Sequence, residues 1–259
     1  MTGPLLTLIL CYFNEEDYLG QTLDSLAVQS DRRFRIVLVD NNSTDRSTEL
    51  ARNKMLAMSD ISVTFVSELQ PGKTFALHAG QAHVDTPYVA TVDADTIYPP
   101  DYVRTCIGLF EANPGASSVL AYSQVEGPRA RAITRRLQAY ADLFPDKCHA
   151  GAPGHAYRTD AFLEAGGFDP ERWPYVMEDH EMANQMHLRG RFVYDSDHCC
   201  YPSDRRSDSS DCHWTLMERV MYKLLPSRAM QWFWYEFLAR RFAARGLGIE
   251  RLRSKSWKD

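Results

Sequence analysis

The chain has 259 residues, 44% of them hydrophobic, and a formal net charge of −5. That length suits one large α/β domain with an appendage, or at most two small domains. Six scattered cysteines (Cys11, Cys106, Cys148, Cys199, Cys200, Cys212) form no CxxC pair, which argues against a zinc cluster and fits a reducing compartment.

Taken in chain order, the first half alternates short apolar runs with amphipathic stretches. Leu5–Cys11 reads as a strand and Asp17–Gln29 as a helix carrying Leu19, Leu23, Leu26 and Ala27 at helical spacing. Strands follow at Arg35–Asp40, Ile61–Ser67 and Tyr88–Asp93, with helices at Ser43–Ala57 and Lys73–Val84 between them. This βαβαβ order predicts an α/β fold with a largely parallel sheet covered on both faces. The second half is more mixed. Ser117–Val125 reads as a strand, Arg129–Phe144 as a helix with a basic face, and Gly151–Arg158 as a loop or short strand. Glu178–Leu188 reads as a helix, Phe192–Asp195 as a strand, and the chain after Asp211 as helical almost to its end.

In parallel sheets ligands bind beyond the carboxyl ends of the strands, so the residues after each strand belong together. They are Tyr12-Phe13-Asn14-Glu15-Glu16, Asp40-Asn41-Asn42-Ser43-Thr44-Asp45 and Asp93-Ala94-Asp95. Any one of them could serve only to cap the next helix; three carboxylate-rich clusters at three strand ends point to a ligand. Asp93 and Asp95, one residue apart after Tyr88-Val89-Ala90-Thr91-Val92, suit a hard divalent cation that takes oxygen ligands and leaves positions for substrate phosphates. A diphosphate leaving group needs such neutralisation of its growing charge. Pro71-Gly72-Lys73-Thr74 looks like the end of a P-loop, but Ser67 stands where that motif needs a glycine. The same residues still open a helix whose amides could face an anion. Asp179 lies on the face of Met182, Ala183 and Met186 at the first turn of its helix. There it either matches the helix dipole or faces the cleft.

Val37-Leu38-Val39-Asp40-Asn41-Asn42-Ser43-Thr44-Asp45, Gly72-Lys73-Thr74-Phe75-Ala76-Leu77-His78-Ala79-Gly80, Asp93-Ala94-Asp95, Gly166-Gly167-Phe168 and Glu178-Asp179 together resemble the motifs of the family 2 glycosyltransferases, which have the GT-A fold. The likeness runs over roughly residues 5–206, specific as a set and weak motif by motif. It implies an inverting transferase of a single hexose-type unit that uses a nucleotide-diphosphate sugar, with a UDP-sugar expected and a GDP-sugar the alternative, and Mg²⁺ or Mn²⁺. By motif position Tyr12, Glu15 and Asp40 would contact base and ribose, and Lys73 would lie near the diphosphate. Asn14, Asn42, Gly72 and Ala94 would complete the nucleotide-sugar contacts. Asp93 would lie near ribose or metal, and Asp95 would ligate the metal. Asp179 would be the general base and Glu178 would orient the site. Arg205 and Arg206 could reach the diphosphate, while His213 or His198 could add a metal ligand. Gly154 and His155, standing where Gly-Asn is common, are assigned to the acceptor. His78 also departs from the family's usual asparagine, which leaves sugar and acceptor preference open. No Gln-x-x-Arg-Trp motif follows Ser203-Asp204-Arg205-Arg206, which disfavours processive polymerisation.

These features divide the chain into a catalytic domain, residues 1–210, and a helical C-terminal extension, 211–259. In the extension Met230–Leu238 is dense in aromatics. Arg240 to Asp259 then carries seven basic residues against Glu250 and Asp259, so the tail is about +5 on a body of about −10. That arrangement suits either a helix in a membrane interface or a helix packed on the domain. Leu5–Leu10 is too short for a signal h-region and lacks a basic flank, and nowhere do about 18 apolar residues run without charge. A cytoplasmic protein is expected, with peripheral contact at the inner membrane face as the setting for a lipid-linked or glycan acceptor, and no nucleic acid. Two other readings are a non-catalytic nucleotide-sugar-binding subunit that docks a partner, and a sugar-phosphate nucleotidyltransferase. The latter's glycine- and basic-rich N-terminal loop is replaced here by Tyr12-Phe13-Asn14-Glu15.

Overall fold

Uninterrupted aliphatic and β-branched runs become the buried centre of a sheet. Strands β1 (Leu6–Tyr12), β2 (Phe34–Asp40), β3 (Ser62–Ser67) and β4 (Tyr88–Asp93) pair in parallel in the spatial order β3-β2-β1-β4. The structure, a computed structural model, describes residues 3–124, 130–149, 153–203 and 214–252. Registers align the strand ends: Tyr12 lies opposite Asp40, Asp40 opposite Ser67, and Cys11 opposite Asp93. The three polar clusters of the sequence therefore meet at one edge.

Helices cover both faces. The period-2 alternation of β1 sends Leu6, Leu8, Leu10 and Tyr12 into one core with α1 (Leu19–Ala27) and α2 (Ser47–Leu56), and Ile9 into a second core with α3 (Lys73–Gln81). A Cβ on Gly80 would stand 2.7 Å from Ile9 Cγ2 and 2.9 Å from Val39 Cγ2, so only glycine lets α3 approach this closely.

The second half extends the sheet with β8 (His155–Arg158), β6 (Ala116–Leu120) and β9 (Arg191–Val193); β8 runs antiparallel to β4 and β6. The single strand expected over 117–125 divides: β6 stays in the main sheet, whereas β7 (Tyr122–Ser123) joins β5 (Thr96–Ile97) and β10 (Cys199–Pro202) in a small second sheet. Val125 lies outside the described residues. Helix α4 (Tyr102–Ala112) was not among the expected elements, although Tyr102, Val103, Cys106, Ile107 and Phe110 recur at helical spacing and are buried. Helices α5 (Ala130–Leu143), α6 (Thr159–Glu164) and α7 (Glu178–His187) follow. The five described cysteines are free thiols.

After the described residues resume at Trp214, α8 (Leu216–Leu224) is started by a capping box. Thr215 Oγ1 accepts from the Glu218 amide, and Glu218 Oε2 accepts from the Thr215 amide at 2.7 Å. Helix α9 (Met230–Trp232) runs through a π-helical stretch (Phe233–Leu238) into α10 (Ala239–Ala244). The aromatic run does not offer itself to a membrane as one face. Phe233, Trp234 and Leu238 are fully buried, forming a third core with Trp173, Val176, Trp214 and Tyr222; Trp232 remains half exposed. The extension thus shares its core with Trp173 and Val176, which lead directly into α7. No helix among the described residues is long and apolar enough to cross a membrane.

Candidate active site

The β1 and β2 ends are locked by side chains that the sequence placed near a nucleotide. Asp40 accepts from the Ser43 amide at 2.9 Å and the Thr48 hydroxyl at 2.8 Å. Asn14, at φ +53°, accepts from the Thr44 amide at 2.7 Å, while its own amide donates to Ser43 Oγ. The Glu15 amide donates to Ser47 Oγ at 2.7 Å. Asn42, at φ +63°, is exposed at the tip of the β2 turn. Its neighbour Asn41, which the sequence reading did not single out, is buried and joins three segments. Its Nδ2 donates to the Glu68 and Gln70 carbonyls, and its Oδ1 accepts from the Gly72 amide at 2.9 Å.

Tyr12 is placed differently from expectation. Strand alternation turns it into the core under α1 and α2, where it is 3% exposed and donates to Thr48 Oγ1. Phe13, one residue on, is partly exposed and is the aromatic residue that a base could meet at this strand end. A period-2 count along β1 would have found it. Ala94 is also in the core, with its carbonyl accepting from Thr22 Oγ1 at 2.8 Å, so only its backbone is left to meet a ligand.

The start of α3 shows why Gly72 is glycine. Its φ is +135°, and an added Cβ would stand 2.1 Å from Ile249 Cγ2. The next residue, Lys73, reaches across the strand ends: its Nζ lies 2.8 Å from Asp93 Oδ1 and 3.4 Å from Glu178 Oε1. One ammonium therefore joins β4 to the first turn of α7. Asp95 is 6% exposed, and Ser203 holds it with its hydroxyl on Oδ2 at 3.2 Å and its amide on the Asp95 carbonyl at 2.9 Å. Arg205, Arg206 and His213 lie outside the described residues. Cys11 shares this environment, and burial pushes its thiol well above the ordinary range despite Lys73 nearby, so it does not act as a nucleophile.

Helix α7 begins after Met177, which takes the left-handed conformation at φ +67°. Burial raises the carboxyl of Glu178, Lys73 opposes that rise, and the Asp179 charge adds to it. Asp179 behaves oppositely. Burial alone would raise it, but His180, His155 and Lys73 together hold it well below the usual carboxylate range. His180 Nδ1 lies 3.0 Å from Asp179 Oδ2. Burial lowers the His180 imidazole, Asp179 raises it, and the net direction is up. Two acidic neighbours are thus driven apart, one toward the proton and one away from it.

The residues assigned to an acceptor are not surface groups. His155 is fully buried in β8 opposite Thr91 and Leu120, and burial lowers its imidazole to about 4. Gly154 is also enclosed, its amide donating to Thr91 O at 3.0 Å and its carbonyl accepting from Tyr102 Oη at 3.1 Å. Both residues are buried, and β8 lies inside the sheet between β4 and β6. His198 is likewise enclosed, stacked 4.9 Å from the Tyr102 ring and lowered by burial to about 3. His78 has a structural tie, its Nδ1 lying 2.7 Å from the Phe168 carbonyl of the Gly-Gly-Phe turn.

Comparisons with known proteins agree with this architecture. The family described as glycosyl transferase family 2 matches residues 7–164. A poly-β-1,6-N-acetyl-D-glucosamine synthase of Staphylococcus aureus is 25% identical over 209 residues, covering 76% of this chain and 49% of that protein. The chain spans 18 to 55% of the length of the first curated relatives it matches. Among solved structures, the mannosyltransferase PcManGT from Pyrobaculum calidifontis, in complex with GDP-Man and Mn²⁺, superposes with a TM-score of 0.71 at 18% identity, over 99% of this chain and 77% of its own. TarS of S. aureus in complex with UDP gives a TM-score of 0.63 at 19% identity, over 92% and 72%. At these identities the two structures establish the shared GT-A-type fold.

Proposed function

Because the chain belongs to glycosyl transferase family 2, we propose that it transfers a single sugar, with inversion, from a nucleotide-diphosphate sugar to an acceptor hydroxyl. The observation that carries this reading is the Lys73 bridge, which gathers Asp93 at the end of β4 and Glu178 at the start of α7 around one cation. It brings the donor-side residues within one cluster with Asp179. A subunit that only binds a nucleotide sugar has no need of that last carboxylate.

Asp40, Phe13 and Glu15 would line the base and ribose, and the α3 amides with Lys73 would meet the diphosphate, whose charge grows as the anomeric C–O bond breaks. The acceptor oxygen attacks the anomeric carbon from the opposite face. Asp179 takes its proton, the bonding pair of the broken bond leaves with the diphosphate, and the configuration inverts. Glu178, drawn toward its protonated form by burial and by Asp179 and opposed by Lys73, orients this base.

Asp95, with Asp93, supplies the hard oxygen donors that a divalent cation would take. Among the described residues no group of three His, Cys, Asp or Glu is arranged to hold a metal by itself. That donor set fits Mg²⁺ or Mn²⁺ held by one or two carboxylates and completed by diphosphate oxygens. Asp93 contacts Lys73 at 2.8 Å, and Asp95 would be the first ligand of such a cation. When bound, the cation would neutralise charge on the leaving group.

The test is a thermal-shift panel of UDP, GDP, UDP-GlcNAc and GDP-mannose, with and without Mn²⁺, on wild type and Asp95→Ala. A nucleotide at 100 times its Kd raises stability by about 2.7 kcal/mol. A Mn²⁺-dependent rise with one nucleotide, lost in Asp95→Ala, is expected, a uracil nucleotide first and a guanine nucleotide as the alternative. No rise with any nucleotide would overturn the donor reading. A rise without nucleoside diphosphate release on turnover would favour the nucleotide-sugar-binding subunit, and release of pyrophosphate would favour a nucleotidyltransferase.

A glycan or lipid-linked acceptor at the inner membrane face is the setting proposed here, and a glycan acceptor accords with the likeness to a poly-β-1,6-N-acetyl-D-glucosamine synthase. The membrane-facing element would be α8 rather than the buried aromatic run. Leu216, Met217, Val220 and Leu224 are exposed and fall within about 100° of one another at the helical repeat. Exposed Arg219 and Lys223 flank that stripe, as in interfacial helices. Sedimentation with vesicles of 30% anionic lipid should retain wild type and release Val220→Glu; equal partition of both would remove the membrane from this account.

A further inference from the structure

Beyond the carboxylate base itself, we propose that His180 is a positioning residue: it clamps Asp179 Oδ2, leaves Oδ1 for the acceptor, and is itself seated by Trp214 and Tyr222 of the C-terminal extension. The inference rests on the reading of Asp179 as the base.

Neighbouring residues on a helix ordinarily point to different sides, so a side-chain contact between positions 179 and 180 needs support from outside the helix. That support is visible. The His180 ring centroid lies 5.7 Å from that of Trp214 and 6.4 Å from that of Tyr222, and the two aromatic rings meet edge-on at 4.6 Å. Tyr222 is fixed in turn, its hydroxyl accepting from the Cys148 amide at 2.9 Å. Trp214 packs at 5.9 Å from Phe233 and 5.7 Å from Trp234. The imidazole is therefore held on one side by the extension and offers Nδ1 to Asp179 on the other, at 3.0 Å.

The charged and titratable groups facing His180 come from several elements. Asp179 and Glu178 on its own helix favour the imidazolium. Tyr222 of α8 contributes a ring whose hydroxyl stays protonated because burial raises it. His155 of β8 and His149, before β8, both feel the His180 charge, and Lys73 of α3 acts on the same Asp179 carboxylate. The two nearby imidazoles are lowered by burial, whereas the His180 imidazole, against Asp179 at 3.0 Å, is shifted upward by that carboxylate. Holding Asp179 by a charge-assisted bond fixes its rotamer and keeps it ionised before the acceptor arrives. During transfer the acceptor proton passes to Asp179, and His180 keeps its own.

The experiment compares wild type, His180→Ala, His180→Asn and Asp179→Asn in the full chain. Nucleoside diphosphate release from UDP-GlcNAc or GDP-mannose, whichever raises the melting midpoint, is followed from pH 4.5 to 9. His180→Ala should lose roughly 10- to 100-fold in kcat, part of what a general base supplies. Its donor KM should stay within about twofold, and the acid limb of kcat/KM should rise by at least about one pH unit. His180→Asn, which retains a donor, should recover most of kcat. A wild-type profile in His180→Ala overturns the proposal, as does a loss of kcat in both variants with an unmoved acid limb, which marks a packing role only. If Asp179→Asn keeps activity within tenfold, the base assignment has failed instead, whatever the His180 variants do.

Discussion

Asp179→Asn is expected to lower kcat by about 10²- to 10⁴-fold, the range supplied by a positioned general base, with donor affinity close to wild type. A clear fall in melting midpoint should accompany it, because a carboxylate held below its ordinary range stabilises the folded state at neutral pH. In energy terms the barrier rises by roughly 3–5 kcal/mol. The substitution is nearly isosteric, so it leaves α7 and the Lys73 bridge to Asp93 and Glu178 in place. What it removes is the proposed proton acceptor and the charged partner of His180. The result also decides between two readings of a carboxylate at a helix start. A residue that only complements the helix dipole contributes about 0.3–1 kcal/mol to stability and nothing to kcat. Asp179 is 9% exposed and held below the ordinary carboxylate range despite burial, by His180, His155 and Lys73, which is more than a dipole charge requires. Steady-state kinetics beside a thermal melt separates the cases: unchanged kcat with a small drop in midpoint would reduce Asp179 to a capping charge.

Much of this site was legible because it is made of strand ends. Apolar runs give the strands, a parallel sheet aligns their carboxyl ends, and Asp40, Asp93 and the Lys73 turn are brought to one edge by the registers of β1 with β2 and β4. What a motif position does not give is side-chain direction. Tyr12 and Phe13 differ by one residue, and the alternation of β1 sends the first into the core and leaves the second partly open. Gly151–Arg158 was read as a loop or short strand, and His155–Arg158 is indeed a strand, but neither reading tells that the His155 side chain is fully buried. Asn41 was passed over in favour of Asn42, since three hydrogen bonds from one buried amide leave no periodic trace. The aromatic run at Met230–Leu238 shows the same limit: composition cannot distinguish a membrane-facing helix from one whose partner, Trp173, lies some sixty residues earlier in the chain. The small sheet of β5, β10 and β7 was missed because strands of two to four residues carry too little repeat to detect.

The C-terminal extension is best regarded as part of the catalytic unit, and Arg172→Met tests that view with the largest expected effect on stability. Glu181, on the helix that carries Asp179, is 2% exposed. It receives Arg172 Nε at 2.9 Å and Nη2 at 3.1 Å, and the Tyr235 hydroxyl donates to it from the π-helical stretch. Arg172 also donates to the carbonyls of Ala165 at 3.0 Å and Gly167 at 2.6 Å. The Gly-Gly-Phe turn, α7 and the extension therefore converge on one buried ion pair. Removing the arginine leaves a carboxylate in the interior with only neutral donors, Tyr235 and Gln185, and such a loss typically costs about 3–5 kcal/mol. For a chain of this size that corresponds to a fall in melting midpoint of roughly 10 °C. Arg172→Met combined with Glu181→Met should recover part of the loss, because no unpaired charge is then buried. The surviving folded fraction of Arg172→Met should lose kcat more than donor affinity, since α7 carries the proposed base Asp179 while the proposed nucleotide contacts lie on β1, β2 and α3. A midpoint within 2 °C of wild type would show that the extension and α7 are held by the aromatic core alone.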